Sequence, residues 1–489
     1  MSRFPTSLLY IDGARRAAEG GRTYAVESPL DGQVVAQAAD ASAADIDAAI
    51  AAARRAFDLT DWPCNLALRL DALRRWQQAL KDLAETYRPQ ISAELGCTRL
   101  LTHLIQLDMP VDMMSWTIDH AEGYEWERDL GVGNVFGVQS RRTVVKEAAG
   151  VVGAIIPWNV PVQIALAKCT AALAAGCTVV LKSAPDTPLS AAFLGEAAYR
   201  GGLPAGVFNM ITSADKAAAG EQIVADPRVD VISFTGSTGV GKRIMAAAAP
   251  TLKRVFLELG GKSANIVLDD AKFPDALESG LAVCMNAGQG CAITTRLLVP
   301  RSRYEEAVAI LKQMFEAAPF GDAEAMDQVM GSMVSKAQFD RVLNYIEIGK
   351  AEGARLVAGG EPAFAERGGY YIKPTLFADV DNSMRIAQEE IFGPVLVVIP
   401  YEDDDDAVRI ANDSPYGLSG AIQSTDPQRA MAMARRIRTG TMSINKGVYF
   451  GADAPFGGYK QSGIGREMGA EGFDEFLQTK TIATEAEPA

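Results

Sequence analysis

Between Val151 and Glu258 the chain alternates short apolar runs with helix-length amphipathic segments, and this constrains the fold more than any other feature. Runs at 151–156, 178–182, 206–211, 231–235 and 254–258 are separated by segments of helical length at 161–175, 188–199, 214–225 and 240–248. Repetition of this kind implies a parallel, doubly wound sheet. Ligands on such sheets sit beyond the carboxyl ends of the strands. That aligns Pro157, Trp158 and Asn159, then Lys182 and Ser183, then Gly236 and Ser237, along one rim. A helix over about 43–57 is expected to pack on the same sheet through Ile46, Ile50, Ala53 and Phe57, with Ser42 and Asp45 as a capping box.

After Gly260 a second alternating set begins. Strand-like runs at 264–268, 296–299, 395–399 and 418–422, with helical stretches at 275–284, 304–315 and 427–438, predict a second α/β domain. Two more strand-like pieces, 140–146 and 477–482, belong to neither core. Such segments either pair with another subunit or are ordinary edge strands, and the residues leave both open. The acidic run 402–406 reads as a solvated helix start.

At 489 residues, 48% hydrophobic and 22% charged, the chain has the balance of a globular enzyme of two or three domains. Its 47 basic and 61 acidic residues leave a net charge of −14 without a dense basic run, so neither nucleic acid nor a membrane surface is an expected partner. No stretch of about eighteen apolar residues offers a membrane span, and residues 1–10 lack the pattern of a secretory signal. Six cysteines without a C-x-x-C pair fit a reducing, cytoplasmic setting. His103 and His120 are the only histidines, so no Ser-His-Asp triad and no metal site are expected, and the general base falls to a carboxylate.

Two segments supply that chemistry. NAGQGC at 286–291 sets Cys291 among small residues, where glycines let a substrate carbon and the backbone approach the sulfur. A lone cysteine is more often buried and inert. Here LELGG at 257–261 supplies Glu258, a carboxylate able to activate water, and the pair points to covalent catalysis through a thioester. The run 231–235 leads into GSTGVG at 236–241 and a helix, whose free N–H groups suit a pyrophosphate. The glycine spacing matches neither G-x-G-x-x-G nor a Walker loop, so a plain turn is the leading reading of that stretch alone.

Together, PWN at 157–159, FTGS at 234–237, LELGGK at 257–262, GQGC at 288–291, EEIFGP at 389–394, PFGGYK at 455–460, Ser462 with Gly463, and GRE at 465–467 resemble the non-phosphorylating, hydrolytic NAD(P)-dependent aldehyde dehydrogenases. Order and spacing match over essentially residues 10–484. The resemblance implies an α/β fold like theirs, two doubly wound parallel-sheet domains plus a small β oligomerisation arm. Residues 1–124 and 149–258 would form the dinucleotide-binding domain, 259–461 the catalytic domain, and 125–148 with 462–489 the oligomerisation segments of a homodimer or homotetramer. It implies oxidation of an aldehyde to a carboxylic acid, in which Cys291 attacks the carbonyl, hydride leaves to the nicotinamide, and water activated by Glu258 hydrolyses the thioester. Asn159 and the Cys291 N–H would hold the oxyanion, where losing one donor typically costs ~10²–10³ in rate. Lys168 and Glu467 would relay the proton from Glu258, or form only an ion pair.

On the cofactor side, Lys182 is similar to the lysine at the adenosine ribose, Gly236 and Ser237 to the pyrophosphate turn, and Glu390 to the carboxylate at the nicotinamide ribose. Phe392 and Trp158 would flank the ring, with core packing as the alternative for both. NAD-preferring relatives usually carry a glutamate three residues after the lysine, whereas here Pro185 stands there and cannot make that bond. Asp186 is adjacent and no arginine in the turn offers itself to a 2′-phosphate, so NAD is expected, with NADP as the alternative. The family's substrate channel projects onto Val160, Gln163, Ile164, Ala167, Gly290, Ala292, Phe450 and Phe456, with Met113 and Met114 at its mouth. Ala167 replaces a bulky aromatic of many relatives, so the tunnel is expected to be wide and apolar, suited to an aromatic, terpenoid or long-chain aldehyde. One rival reading passes the thioester to coenzyme A, against which Glu258 speaks. Another is a non-enzymatic protein that keeps the fold.

Overall fold

The computed structural model describes residues 2–486. Five parallel strands lie side by side in the order Phe208–Ile211, Thr178–Lys182, Val151–Ile155, Val231–Thr235 and Arg254–Glu258. Antiparallel Leu9–Ile11 and Ala14–Arg16 extend one edge and Gly463–Ile464 the other. Every residue of the three central strands is buried. That is why they read as unbroken apolar runs, as expected for a sheet covered on both faces.

The pleat divides those residues between two cores. Val152, Ala154, Val179 and Leu181 pack with Trp76 and Leu80 of helix Leu66–Leu95, Leu173 of helix Pro161–Ala174 and Phe193 of helix Pro188–Arg200. Val151, Ile155, Val180 and Ile232 pack with Ile46 and Ile50 of helix Ala43–Leu59, Ile223 of Ala218–Ala225 and Ile244 of Thr238–Ala248. Each such apolar side chain contributes roughly 1.5–3 kcal/mol on full burial. The first of these helices starts on the expected capping box: Ser42 Oγ accepts the Asp45 N–H at 3.1 Å, and the Asp45 carboxylate accepts the Ser42 N–H at 3.0 Å.

In the second sheet Thr375–Ala378, Val395–Tyr401, Thr294–Pro300, Ser263–Val267, Gly420–Gln423 and Ser443–Ile444 run parallel, with Arg355–Ala358 antiparallel at one edge. The acidic run does open a helix, Asp404–Asn412, whose cap Asp403 accepts the Asp406 N–H at 2.9 Å. The expected α-helix at 275–284 is instead a succession of tighter 3₁₀ turns, Asp275–Gly288, that breaks at Met285, Asn286 and Ala287. That break delivers the chain to Cys291.

The two strand-like pieces outside both cores pair with each other. Leu477–Glu485 runs antiparallel to Val138–Ala148, from Leu477 opposite Ala148 to Glu485 opposite Ser140, and Glu127–Val135 completes a three-stranded sheet. Between the arm's last strand and the second domain, Gly463–Ile464 pairs with Leu257 and Glu258, and helix Gly469–Asp474 follows. Among the described residues no helix is long and apolar enough to cross a membrane.

Candidate active site

Strand order in the first sheet reverses between Val151–Ile155 and Val231–Thr235, which opens a crevice at their carboxyl ends. Two turns border it. From Ile155 the chain passes Pro157, Trp158 and Asn159 into helix Pro161–Ala174, whose proline starts the first turn. From Thr235 it passes Gly236 and Ser237 into helix Thr238–Ala248, and Ser237 makes no side-chain bond to its own helix. Gly236 donates its N–H to the Glu258 carbonyl at 2.9 Å, which ties this turn to the next strand.

Cys291 sits on the facing wall, half-buried, after a left-handed run at Asn286, Ala287 and Gly288 with φ of 49°, 53° and 72°. A side chain at Gly288 would lie 2.0 Å from the Gly393 carbonyl, so the turn demands glycine there. The backbone of Gly261 also comes close to Cys291, since a Cβ there would meet the Cys291 carbonyl at 2.5 Å.

A buried amide network locks the two walls together. Asn159 Nδ2 donates to the Gln289 carbonyl at 3.1 Å. The Asn159 carbonyl accepts Gln106 Nε2 at 2.8 Å and Asn286 Nδ2 at 3.0 Å. Gln289 in turn bonds the Asn286 carbonyl at 3.0 Å and the Val334 N–H at 2.9 Å. One N–H of the Asn159 amide is thus used to fix its plane, which leaves the second for a ligand. The sequence reading picked out Asn159 and missed Gln106 and Gln289. Gln289 stood inside the cysteine motif; Gln106 carried no signal.

Glu258 ends its strand opposite Thr235 on one side and Gly463 on the other. Only 4% of it is exposed, and neither carboxylate oxygen has a hydrogen-bond partner. Burial and the Glu467 carboxylate push its pKa well above the ordinary range, against the pull of Lys168 and Arg466. Gly457 keeps the space in front of it, because a Cβ there would lie 2.6 Å from Glu258 Oε1. Behind it the Lys168 ammonium, fully buried, donates to Ser233 Oγ at 3.0 Å and to Glu467 Oε1. Burial, with the Glu390 and Glu258 carboxylates, pushes the Cys291 thiol up to about 12. At rest the sulfur therefore carries its proton and needs a base.

At the far end of the crevice the Lys182 ammonium donates to the Lys216 carbonyl at 3.3 Å, and burial lowers its pKa to about 8. Nearer the cysteine, Glu390 Oε1 accepts the Gly261 N–H at 2.9 Å, and burial raises its pKa. Phe392, at φ 63°, meets Trp158 edge-on with ring centroids 5.4 Å apart, and both residues are half-buried. A helix N-terminus with an uncommitted serine hydroxyl, a buried cation at one end and a carboxylate at the other suit the pyrophosphate and two riboses of a dinucleotide.

The expected channel residues divide into two groups. Met113, Met114, Gln163 and Ala167 line one cavity with Phe473 and Met468. Phe450 and Phe456 stand edge-on at 6.5 Å. Val160, Ile164, Gly290, Ala292, Phe450 and Phe456 do not line that cavity; Val160 caps helix Pro161–Ala174, and Gly290 and Ala292 flank Cys291. Tyr449, which the sequence reading passed over, takes a hydrogen bond from Ser419 Oγ at 3.1 Å and lies within electrostatic reach of Cys291.

Comparison with known proteins covers nearly the whole chain. Residues 16–482 match the model of the aldehyde dehydrogenase family. A 3-succinoylsemialdehyde-pyridine dehydrogenase from a Pseudomonas species is 40% identical over 485 residues, 97% of this chain and 98% of its own. Aldehyde dehydrogenase C of Pseudomonas syringae, solved as a cysteine-to-alanine variant with NAD+ and octanal, superposes with a TM-score of 0.93 at 39% identity, covering 99% of this chain and 98% of that one. The aldehyde dehydrogenase of Mycobacterium tuberculosis, solved with NAD+, gives 0.92 at 40% identity and 98% of each chain. Motif order, fold and these likenesses converge, and the chain belongs to the aldehyde dehydrogenase family as an enzyme of that class.

Proposed function

We propose that the protein oxidises a bulky apolar aldehyde to its carboxylic acid with NAD+, through a thioester on Cys291 that water hydrolyses. The observation that carries this is the Glu258 carboxyl group, buried without a hydrogen-bond partner and close enough to Cys291 for its charge to hold the thiol up. A structural glutamate would be paired; an unpaired one with a raised pKa is suited to taking up a proton. Glu258 removes the thiol proton, and the Cys291 thiolate adds to the aldehyde carbon. The free N–H of the Asn159 amide and the Cys291 backbone N–H hold the oxygen as it becomes negative. When bound, NAD+ supplies the hydride acceptor. Lys168 with Glu467 carries the thiol proton away from Glu258, which then takes a proton from water as it attacks the thioester and passes that one along the same route.

Lys182, Gly236, Ser237 and Glu390 would hold the dinucleotide, with Trp158 and Phe392 beside its ring. Residues 1–124 and 149–258 would serve the cofactor and 259–461 the nucleophile. Exposed Leu130, Val132, Phe136, Val138 and Ile482 on the three-stranded arm support its pairing with another copy in a homodimer or homotetramer. Six unpaired cysteines suit a reducing, cytoplasmic setting.

The apolar substrate rests on Met113, Met114 and Ala167 around one cavity and on the Phe450–Phe456 pair. It also rests on the octanal bound by the Pseudomonas syringae enzyme and the pyridine-bearing semialdehyde named for the Pseudomonas relative. NADH formation with octanal, benzaldehyde and succinic semialdehyde tests it: kcat/KM is expected to be higher for the first two, and the reverse order removes the substrate reading. Stoichiometric acyl-coenzyme A in place of acid would instead remove hydrolysis.

A further inference from the structure

We propose that the second domain holds a monovalent anion of chloride size in a buried cavity between Lys262, Ser263 and Arg296. The cavity lies at the amino ends of three neighbouring parallel strands, Thr294–Pro300, Ser263–Val267 and Gly420–Gln423, where Ala264 is aligned with Arg296 on one side and with Gly420 on the other. Gly417, Leu418 and Thr439 also line it, and it has room for about one water-sized occupant.

Donors are in surplus around this cavity. Lys262 is 2% exposed and Ser263 4%, and neither the ammonium nor the hydroxyl has a hydrogen-bond partner. Arg296, equally buried, donates to the carbonyls of Lys262, Ile410 and Ala411, each at 3.0 Å, and to Asn382 Oδ1 at 2.8 Å, which leaves one guanidinium N–H over. The carbonyls on the wall are taken. Those of Lys262 and Ala411 accept from Arg296, and that of Leu418 accepts the N–H groups of Gly440 and Thr441, both at 3.1 Å. Among the described residues that line the cavity none carries a carboxylate. Glu390 and Glu389 attract Lys262 only from outside it: Glu390 is bonded to the Gly261 N–H at 2.9 Å, and Glu389 to Tyr345 and Arg385 at 2.7 and 2.8 Å.

Two buried cations without a counter-charge are costly, and buried donors are ordinarily paired. A water would bring donors of its own to a wall whose carbonyls are already taken, and no charge. A halide only accepts, takes donors from several directions at once and supplies the missing charge. Burial beside Arg296 lowers the Lys262 pKa to about 7, and an adjacent anion favours the charged form. Without halide that charge costs stability, and the anion offsets the cost. The next residue back, Gly261, bonds Glu390 and lies against the Cys291 carbonyl, so an anion at Lys262 braces the loop on which the crevice rests.

Two measurements on the whole protein test this. In thermal unfolding near neutral pH, with sodium chloride and sodium gluconate compared at equal ionic strength, the wild type is expected to have a Tm higher in chloride by about 1 °C or more, levelling off as chloride is raised. Lys262→Met is expected to lose that difference, Ser263→Ala to shrink it, and Lys336→Met, which removes an exposed lysine, to keep it. Comparing the variants cancels general effects of salt on unfolding. In wild-type crystals grown in sodium bromide, an anomalous peak is expected within hydrogen-bonding reach of Lys262 Nζ and Ser263 Oγ, a result that does not depend on how any variant folds. Bromide confined to the surface, a wild type indifferent to chloride, or a chloride effect of equal size in the wild type and Lys262→Met would overturn the inference.

Discussion

Two buried ionisable groups, Glu258 and Lys262, both weaken the enzyme on the acid side, one through its rate and the other through its stability. As the proposed base Glu258 would work only when ionised, and its pKa is raised, so on that proposal hydrolysis of the thioester should fall as pH drops through the raised value. Glu258→Gln is expected to slow this step by about 10²–10⁴-fold, more than it slows the first burst of NADH, and to flatten the acid limb of kcat. An unchanged steady-state rate would contradict the role. Cys291→Ala should abolish turnover and leave dinucleotide affinity intact, as read by fluorescence titration. Lys262 is buried with its ammonium unpartnered, and burial beside Arg296 lowers its pKa from 10.5 to about 7. Between those values the unfolded chain binds the extra proton, so this lysine's contribution to stability is present at high pH and lost as pH falls through about 7. Lys262→Met should therefore raise Tm more at about pH 6.5 than at about pH 9.5. Equal shifts at the two would contradict the assignment.

At the scale of elements, legibility followed how each segment is buried. The strands of the first sheet are apolar on both faces, and their positions could be read from that alone. Helix Leu66–Leu95 could not, because its buried side carries polar groups whose partners are far away in sequence. Arg69 bonds the carbonyls of Trp62 and Ala174, Gln77 that of Val111, Arg88 the carboxylate of Asp108, and Glu94 the N–H groups of Leu189 and Ser190. A periodicity of apolar residues misses a face satisfied in this way. The turns before Cys291 escaped for a related reason: the apolar pattern at 275–284 fits a helix, and what breaks it is the contact of Gly288 with Gly393, made across the fold. In the site, the candidate nucleophile, base and oxyanion donor sat in recognisable motifs, whereas Gln106, which bonds the Asn159 carbonyl, and Tyr449, which bonds Ser419, did not. Gln289→Ala should cost about 1–3 kcal/mol in urea unfolding by stranding buried groups of Ser332 and Val334, and should lower kcat by loosening the cysteine turn. Ser42→Ala, which removes only a cap, should cost about 1 kcal/mol and leave kcat unchanged.

For the whole molecule, the arm and the crevice set separate expectations. The arm exposes Val132 and Val138, and like charges placed at a packed interface oppose association. Val132→Glu combined with Val138→Glu is expected to shift the protein to a smaller species in sedimentation velocity; an unchanged species would place the interface elsewhere. One amide network ties Asn159 to the turn that leads to Cys291. The central claim is that carbon from the aldehyde becomes bonded to Cys291 before water releases it. Mass spectrometry of Glu258→Gln, acid-quenched after mixing with NAD+ and octanal, tests this most directly. The account predicts an octanoyl adduct on the peptide containing Cys291, accumulating to near one per subunit together with the NADH burst. NADH formed with Cys291 unmodified, or the adduct found on another residue, would contradict it.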